Sequence, residues 1–418
     1  MSDNATTQSG QWFPSLLMLA FPAASLAVPR AANTLVIAAG LIALSLCFLN
    51  SYRQPIAASL READVRIFCC AMGAPLFATL FSETWHGNFV ASTLDSPSRF
   101  LMAIPIFLVL RTQRTLIAPW AGMSFALGGM GAAAIVVLAP RDWGYGRIGS
   151  AFLNPIHFGD IATVLMVLSV ASIHWLTRDG RAAVCLKLVG ATCAGYASLA
   201  GGSRGGWIAL PFCAILLICI GMRNRTWKMK LAALAIIVAL FFLPFRFAPV
   251  VATRFSEIHP ELEAMKYAND DTNIGTRIKL YQAGARLFLS APWVGLGANG
   301  FKNAMEPLMK AGILTPHAAQ LGRGETHNQL MAYAVDFGTP GLLAALLLYA
   351  LPWLIFWRQR RSTEDVQQRS SVMGLIFVSS FFVFGWTVDT FTLKLTASVY
   401  AGILAMLGAL AAESTNTA

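Results

Sequence analysis

Charge is what this chain has least of. Only 12% of its 418 residues are Asp, Glu, Lys or Arg, against roughly 25% in ordinary soluble domains. With 56% of the residues hydrophobic, a water-soluble or disordered chain is excluded and a polytopic membrane protein is indicated. The seven cysteines all lie in or beside apolar runs, so no disulfide framework and no Cys-based metal spacing is expected. There is no HExxH pair of histidines and no GxxxxGK[ST] phosphate loop, which argues against a zinc hydrolase and an ATP-driven machine. Internal repeats and low-complexity tracts are missing too. The first apolar run lacks a basic n-region and a convincing cleavage site, so it is expected to stay as the first helix.

What is present is a series of apolar runs: Phe13 to Val28, Thr34 to Leu49, Ile67 to Phe81, Phe100 to Leu110, Leu116 to Leu138 and Phe158 to Leu176. Six more follow, from Ala183 to Ala200, Trp207 to Met222, Leu231 to Leu243, Leu342 to Trp357, Val372 to Val388 and Leu395 to Ala411. Lipid offers no partners to backbone polar groups, so these runs predict an all-α fold of about 12 transmembrane helices. Alternate short loops carry sixteen basic residues against six in the opposite set. The positive-inside rule then puts both termini in the cytoplasm. Lys187 belongs to the basic set on this reading. The net charge of +11 reports topology and anionic lipid, not nucleic acid.

One polar segment, 247–326, interrupts the series and falls on the external side. We read residues 1–418 as a single transmembrane helical domain with this segment as a helical insertion over the membrane mouth. Within it, a short helix is expected after Pro260, a loop at Asn269–Asn273, and a helix from Thr276 to Leu289 with Ile278, Tyr281, Ala285 and Phe288 on one face. Another short helix is expected from Gly300 to Lys310.

Ionisable residues where membrane meets water are the first candidates for chemistry. His327 opens an apolar run, and nearby arginines would keep its imidazole neutral, so it reads either as a general base or as a capping or hydrogen-bonded interface residue. Asn328 beside it can orient a ligand or cap the helix. Arg204 sits within Gly201-Gly202-Ser203-Arg204-Gly205-Gly206, which suits either an anion-binding nest for phosphate or a tight turn with a snorkelling arginine. Arg277 and Arg147 lie in external positions; each taken singly reads as an ordinary loop residue, and together, since a guanidinium fork matches phosphate, they read as a face for a multiply charged anion. Asp389 stands near Lys394, and a structural ion pair with Lys394 or with an arginine is expected. Asp270, Asp271, Glu306 and Glu325 are external carboxylates, yet nothing in their spacing demands a metal. His157 lies at the boundary without a partner in sequence. No ionisable groups are expected deep in the spans, which weighs against a transporter.

The set Ser203-Arg204-Gly205-Gly206-Trp207, Arg277 with Pro292, Gly295, Gly297 and Phe301, and His327-Asn328 with Gly338 and Gly341 resembles the O-antigen ligase family of the Gram-negative inner membrane. Its superfamily also holds O-antigen polymerases and protein O-oligosaccharyltransferases. The resemblance implies an inverting, metal-independent glycosyltransferase with no cofactor. Such an enzyme moves a glycan from undecaprenyl diphosphate to a sugar hydroxyl of lipid A-core at the periplasmic face. It further implies that Arg204 and Arg277 bind the diphosphate and that His327 is the base, with Arg147 and Asp389 matching more loosely. Family members often carry Glu after the histidine where this chain has Asp336, so that residue is assigned no role. The alternatives are a polymerase, a protein glycosyltransferase, or a transporter of a lipid-linked glycan.

Overall fold

A backbone in hydrocarbon satisfies its own hydrogen bonds, and the apolar runs accordingly become helices. The computed structural model describes residues 12–222, 225–235, 238, 249–266 and 271–412. The first helices are α1 (Phe13–Ser25), α2 (Ala31–Cys47), α3 (Asn50–Ser59), α4 (Ala63–His86), α5 (Asp95–Thr112) and α6 (Arg114–Leu138). A hairpin of β1 (Arg141–Asp142) and β2 (Ile148–Gly149) pairs Arg141 with Gly149. It leads into α7 (Pro155–Ala171), α8 (Arg181–Gly201) and α9 (Arg204–Leu216). The insertion holds α10 (Pro249–Ser256), α11 (Ile258–Lys266), α12 (Asn273–Ser290), α13 (Gly300–Lys310) and α14 (Pro316–Gly324). Finally come α15 (Gln329–Gln359), α16 (Asp365–Phe384) and α17 (Lys394–Ala411).

The helical class expected from the sequence is found, but the number of full spans is smaller. Among the described residues seven helices are long and apolar enough to cross a membrane, or eight if α2 and α3 form one broken span. The second run ends early because the chain turns by 97° between α2 and α3. α1 and α7 are apolar but only 13 and 17 residues long, and α16 begins with the polar stretch Asp365 to Ser371. The ninth run is helical over 227–235; most of the remainder lies outside the described residues, as do Phe247, Asn269, Asp270 and both chain ends.

α17 is buried on every side, as a helix apolar all round should be. Its Tyr400 sits among Phe377, Phe381 and Phe391, with ring centroids 5.5, 5.0 and 4.8 Å away. Tyr349 joins the cluster and meets the Thr390 hydroxyl at 3.0 Å. The loop between α16 and α17 is thereby anchored from beneath. Elsewhere small residues let helices touch: a Cβ at Gly129 of α6 would lie 2.2 Å from the Gly190 carbonyl of α8.

Ion pairs tie loops that the basic-residue pattern assigns to one side. Arg111 meets Glu62 at 2.8 Å, Arg114 meets Glu364 at 2.6 Å and Arg358 meets Asp64 at 3.1 Å. At the other end Lys394 pairs with Asp95, which corrects the expected Asp389–Lys394 bridge: Asp389 faces inward instead. Lys187 is not a loop residue either. It lies buried within α8, its ammonium 2.8 Å from Asp179. Together with the buried Asp160 of α7 and the half-buried Asp336 of α15, it shows that ionisable groups do occur inside the helical bundle.

The insertion has its own small core of Leu280, Ala283, Phe301, Met305, Leu314, Ala318 and Ala319, completed by Val335 of α15. The α12 helix is as expected, but its inward face is Thr276, Leu280, Ala283 and Gly284, while Ile278 and Ala285 are exposed. The small residues face inward because a Cβ at Gly284 would already lie 2.5 Å from Met331 Cγ. α15 kinks at Gly338, whose φ of 65° and ψ of −154° suit glycine alone. There it crosses Gly295: Gly297 N–H donates to the Asp336 carbonyl at 2.9 Å, and Thr339 N–H to the Pro292 carbonyl at 2.7 Å. The Asp336 carboxylate accepts the Phe301 N–H at 2.8 Å at the start of α13. This aspartate is a clamp between insertion and bundle.

Candidate functional site

Three chain segments meet where α15 begins. Asn328 caps that helix, its side chain accepting the Met331 N–H at 3.0 Å, so of its two readings the cap is the one observed. Asp389, from the α16–α17 loop, accepts the N–H groups of Thr326 and Asn328 at 2.9 and 3.0 Å and the Thr326 hydroxyl. Gln329 is stitched to the same loop, its N–H donating to the Gly385 carbonyl at 2.8 Å. Held between these anchors, His327 takes a φ of 58°, unusual for a residue with a side chain.

The His327 imidazole is buried, and neither ring nitrogen has a hydrogen-bond partner among the described residues. The Thr387 backbone lies beside the ring and favours its protonated form. His327 Nδ1 lies 3.9 Å from Glu325 Oε2. Glu325 in turn lies 3.5 Å from His157 Nε2, and its Oε1 accepts the Asp389 N–H. Burial pushes the His327 pKa down to about 4; Glu325 opposes that shift, and the charge of Arg277 adds to it. The imidazole is thus neutral near pH 7, with burial rather than arginine as the main cause. Burial also pushes Asp389 up to about 7, helped by the neighbouring Glu325 charge. Glu325 is held below the usual carboxylate range: burial works against this, but His157 and His327 outweigh it.

Arg277 stands in the second turn of α12, half-buried, with no hydrogen bond or ion pair to the described residues. One turn on, the Tyr281 hydroxyl shares its single proton between the carbonyls of His327 and Trp386, at 2.9 and 2.7 Å. α12 is thus fastened beside the imidazole.

Arg204 is the first residue of α9. Ser203 caps that helix and donates its hydroxyl to Asp160 of α7 at 2.5 Å. The glycines that follow are required by contact: a Cβ at Gly205 would lie 2.5 Å from Thr387 Oγ1, and one at Gly206 would lie 3.1 Å from Asp160 Oδ1. The α9 start therefore abuts both α7 and the loop carrying Asp389. The guanidinium itself meets Glu257 at 2.7 Å and Glu261 at 3.7 Å. Carboxylates of the insertion occupy this anion-binding group. Arg147 lies on the hairpin just ahead of α7, its N–H donating to the Gly144 carbonyl at 3.1 Å.

Sequence reasoning missed the links Glu325, His157 and Asp160. The available signal was local: Asn154-Pro155 caps α7, which puts His157 in its first turn at the bundle mouth. Nothing in the linear spacing joins that turn to Glu325. Among the described residues no cluster of three or more His, Cys, Asp or Glu is arranged to hold a metal ion.

Comparison with known proteins places the same motifs in a family. Residues 189–346 match the family model described as O-antigen ligase, so the resemblance carried by Arg204, Arg277 and His327 holds over that segment. An uncharacterized protein of Haemophilus influenzae is 21% identical over 318 residues, covering 73% of this chain and 76% of that protein. An O-antigen ligase of Escherichia coli is 25% identical over 130 residues, which span 31% of this chain and 30% of that ligase. The chain is a multi-pass membrane protein whose residues 189–346 are similar to the O-antigen ligase family.

Proposed function

We propose that this chain is an inverting glycosyltransferase that transfers O-antigen polysaccharide from undecaprenyl diphosphate to a sugar hydroxyl of lipid A-core. The observation that carries the reading is His327: a buried, neutral imidazole held at the start of α15, beside a guanidinium that makes no ion pair among the described residues. A base needs a free lone pair near the hydroxyl it activates, and a diphosphate leaving group needs fixed positive charge.

On this reading Arg277 and Arg204 bind the diphosphate, with Arg147 contributing from the hairpin. His327 removes the acceptor proton as the hydroxyl attacks the anomeric carbon from the face opposite the diphosphate, which inverts that centre. Asp389 and Asn328 support the imidazole by fixing the backbone on both sides of it. The residues invoked need neither metal nor cofactor, because the donor is already activated. Segment 247–326 is the periplasmic cap of a single transmembrane domain in the inner membrane, with both termini cytoplasmic. The pairing of loops into two ends supports that sidedness.

The test is reconstitution with a lipid-linked glycan and, separately, lipid A-core, a second lipid-linked glycan and a hydroxyl-bearing peptide, each with and without chelator. Transfer to lipid A-core alone is the expected result. Product only on glycan or peptide would make the chain a polymerase or a protein glycosyltransferase, and movement of intact donor without transfer would make it a transporter.

A further inference from the structure

We propose that Glu325 is a positioning residue for His327: set between two imidazoles, its carboxylate fixes the His327 tautomer and stabilises the imidazolium that forms during transfer. This rests on the reading of His327 as the base. Glu325 Oε2 lies 3.9 Å from His327 Nδ1 and Glu325 Oε1 lies 3.5 Å from His157 Nε2. The Asp389 N–H holds Oε1 from a third direction. A carboxylate largely withdrawn from water needs compensating partners, and here the charge-bearing partners within reach are the two imidazoles.

The consequence is a division of labour within one ring. A carboxylate beside Nδ1 favours the tautomer with its proton on Nδ1, which leaves the lone pair on Nε2. Nε2 then takes the proton of the acceptor hydroxyl, whose oxygen uses the freed pair to bond the anomeric carbon. The bond from that carbon to the diphosphate breaks, and its pair leaves on the phosphate oxygen. His327 now carries a positive charge, and Glu325 answers it. Nδ1 and Oε2 stand 3.9 Å apart in the resting structure, close enough for the carboxylate charge to bias the tautomer, and a short approach makes the contact a hydrogen bond as the positive charge develops. The other charged or titratable groups facing this cluster are His157 and Asp160 from α7, Asp389 from the α16–α17 loop, and Arg277 and Tyr281 from α12.

The experiment uses the full-length protein in nanodiscs with ¹⁵N-labelled histidine, the His327 signal being identified by its loss in His327→Ala. Wild type is expected to show a neutral His327 protonated on Nδ1 at pH 7, and Glu325→Gln a mixture of tautomers. In transfer assays Glu325→Gln is expected to lower kcat by roughly 10- to 10⁴-fold, up to the loss seen when a catalytic histidine loses a directly hydrogen-bonded carboxylate. The donor KM stays unchanged, and the acid limb of the pH profile moves to lower pH because a charge favouring imidazolium is gone. Glu325→Asp retains that charge and is expected to keep the limb near its original place. If Glu325→Gln does not fold, His157→Gln reads the same coupling: removing a positive neighbour moves the limb to higher pH. A tautomer and a limb that ignore these substitutions overturn the proposal. Transfer that survives His327→Ala overturns the base reading instead, and the tautomer measurement needs no turnover.

Discussion

Nη2 of Arg204 lies 2.7 Å from Oε2 of Glu257, so the insertion already supplies an anion to a guanidinium assigned to the donor diphosphate. Both side chains are partly exposed, at 21% and 33%, and a pair of this kind is worth about 1 kcal/mol or less. A multiply charged diphosphate can displace it. Glu257→Gln removes the competitor, so the donor KM is expected to fall by roughly two- to fivefold with kcat little changed. Steady-state kinetics with a lipid-linked donor measure this, and an unchanged or higher KM would mean that Arg204 does not meet the donor.

Arg277 makes no ion pair among the described residues, and its charge reaches His327. Lysine would keep that charge but lose the fork that grips two phosphate oxygens. Arg277→Lys is therefore expected to fold normally yet fail to restore full activity, with the donor KM raised. Wild-type kinetics for the lysine variant would contradict the assignment.

His327→Ala is expected to lower turnover by about 10²- to 10⁴-fold while the protein stays folded, the usual range for a general base. The pH dependence follows from its pKa of about 4, below the ordinary value near 6.5. The neutral form is the active one, so activity is expected to persist through mildly acidic pH and to fail as pH drops toward 4. Stability moves in the same direction. Between about 6.5 and 4 the unfolded chain binds a proton at this position and the folded chain does not, so the contribution present above 6.5 is lost on acidification. An acid limb centred near 6.5 would place the base elsewhere.

Gly338 has backbone angles that a side chain resists, and a Cβ there would lie 2.6 Å from the Gly295 nitrogen. Gly338→Ala is expected to cost about 1–3 kcal/mol and to loosen the insertion from α15. Thermal unfolding in detergent and protease sensitivity of the insertion measure it. Unaltered values for both would show that the crossing can relax.

The sequence by itself determined the helical membrane class and the family resemblance carried by Arg204, Arg277 and His327. Apolar run length, loop charge and short-range motifs are all local properties, and local properties survive without a fold. Span lengths were less legible, because a 97° turn after α2 and the brevity of α1 and α7 are set by packing against neighbouring helices. The face of α12 that packs inward was not legible, because periodicity gives only hydrophobicity, whereas contact with Met331 leaves no room for a Cβ at Gly284.

Only the tertiary structure decided who touches whom. It brought His157 from α7 and Asp389 from the α16–α17 loop to Glu325 and His327, turned Asp389 away from Lys394, and paired Arg204 with Glu257. These partners lie far apart along the chain, and burial of one carboxylate between two imidazoles exists only once separate helices have converged. That convergence, with the desolvation it imposes, sets the protonation of His327, which no spacing along the chain could have fixed.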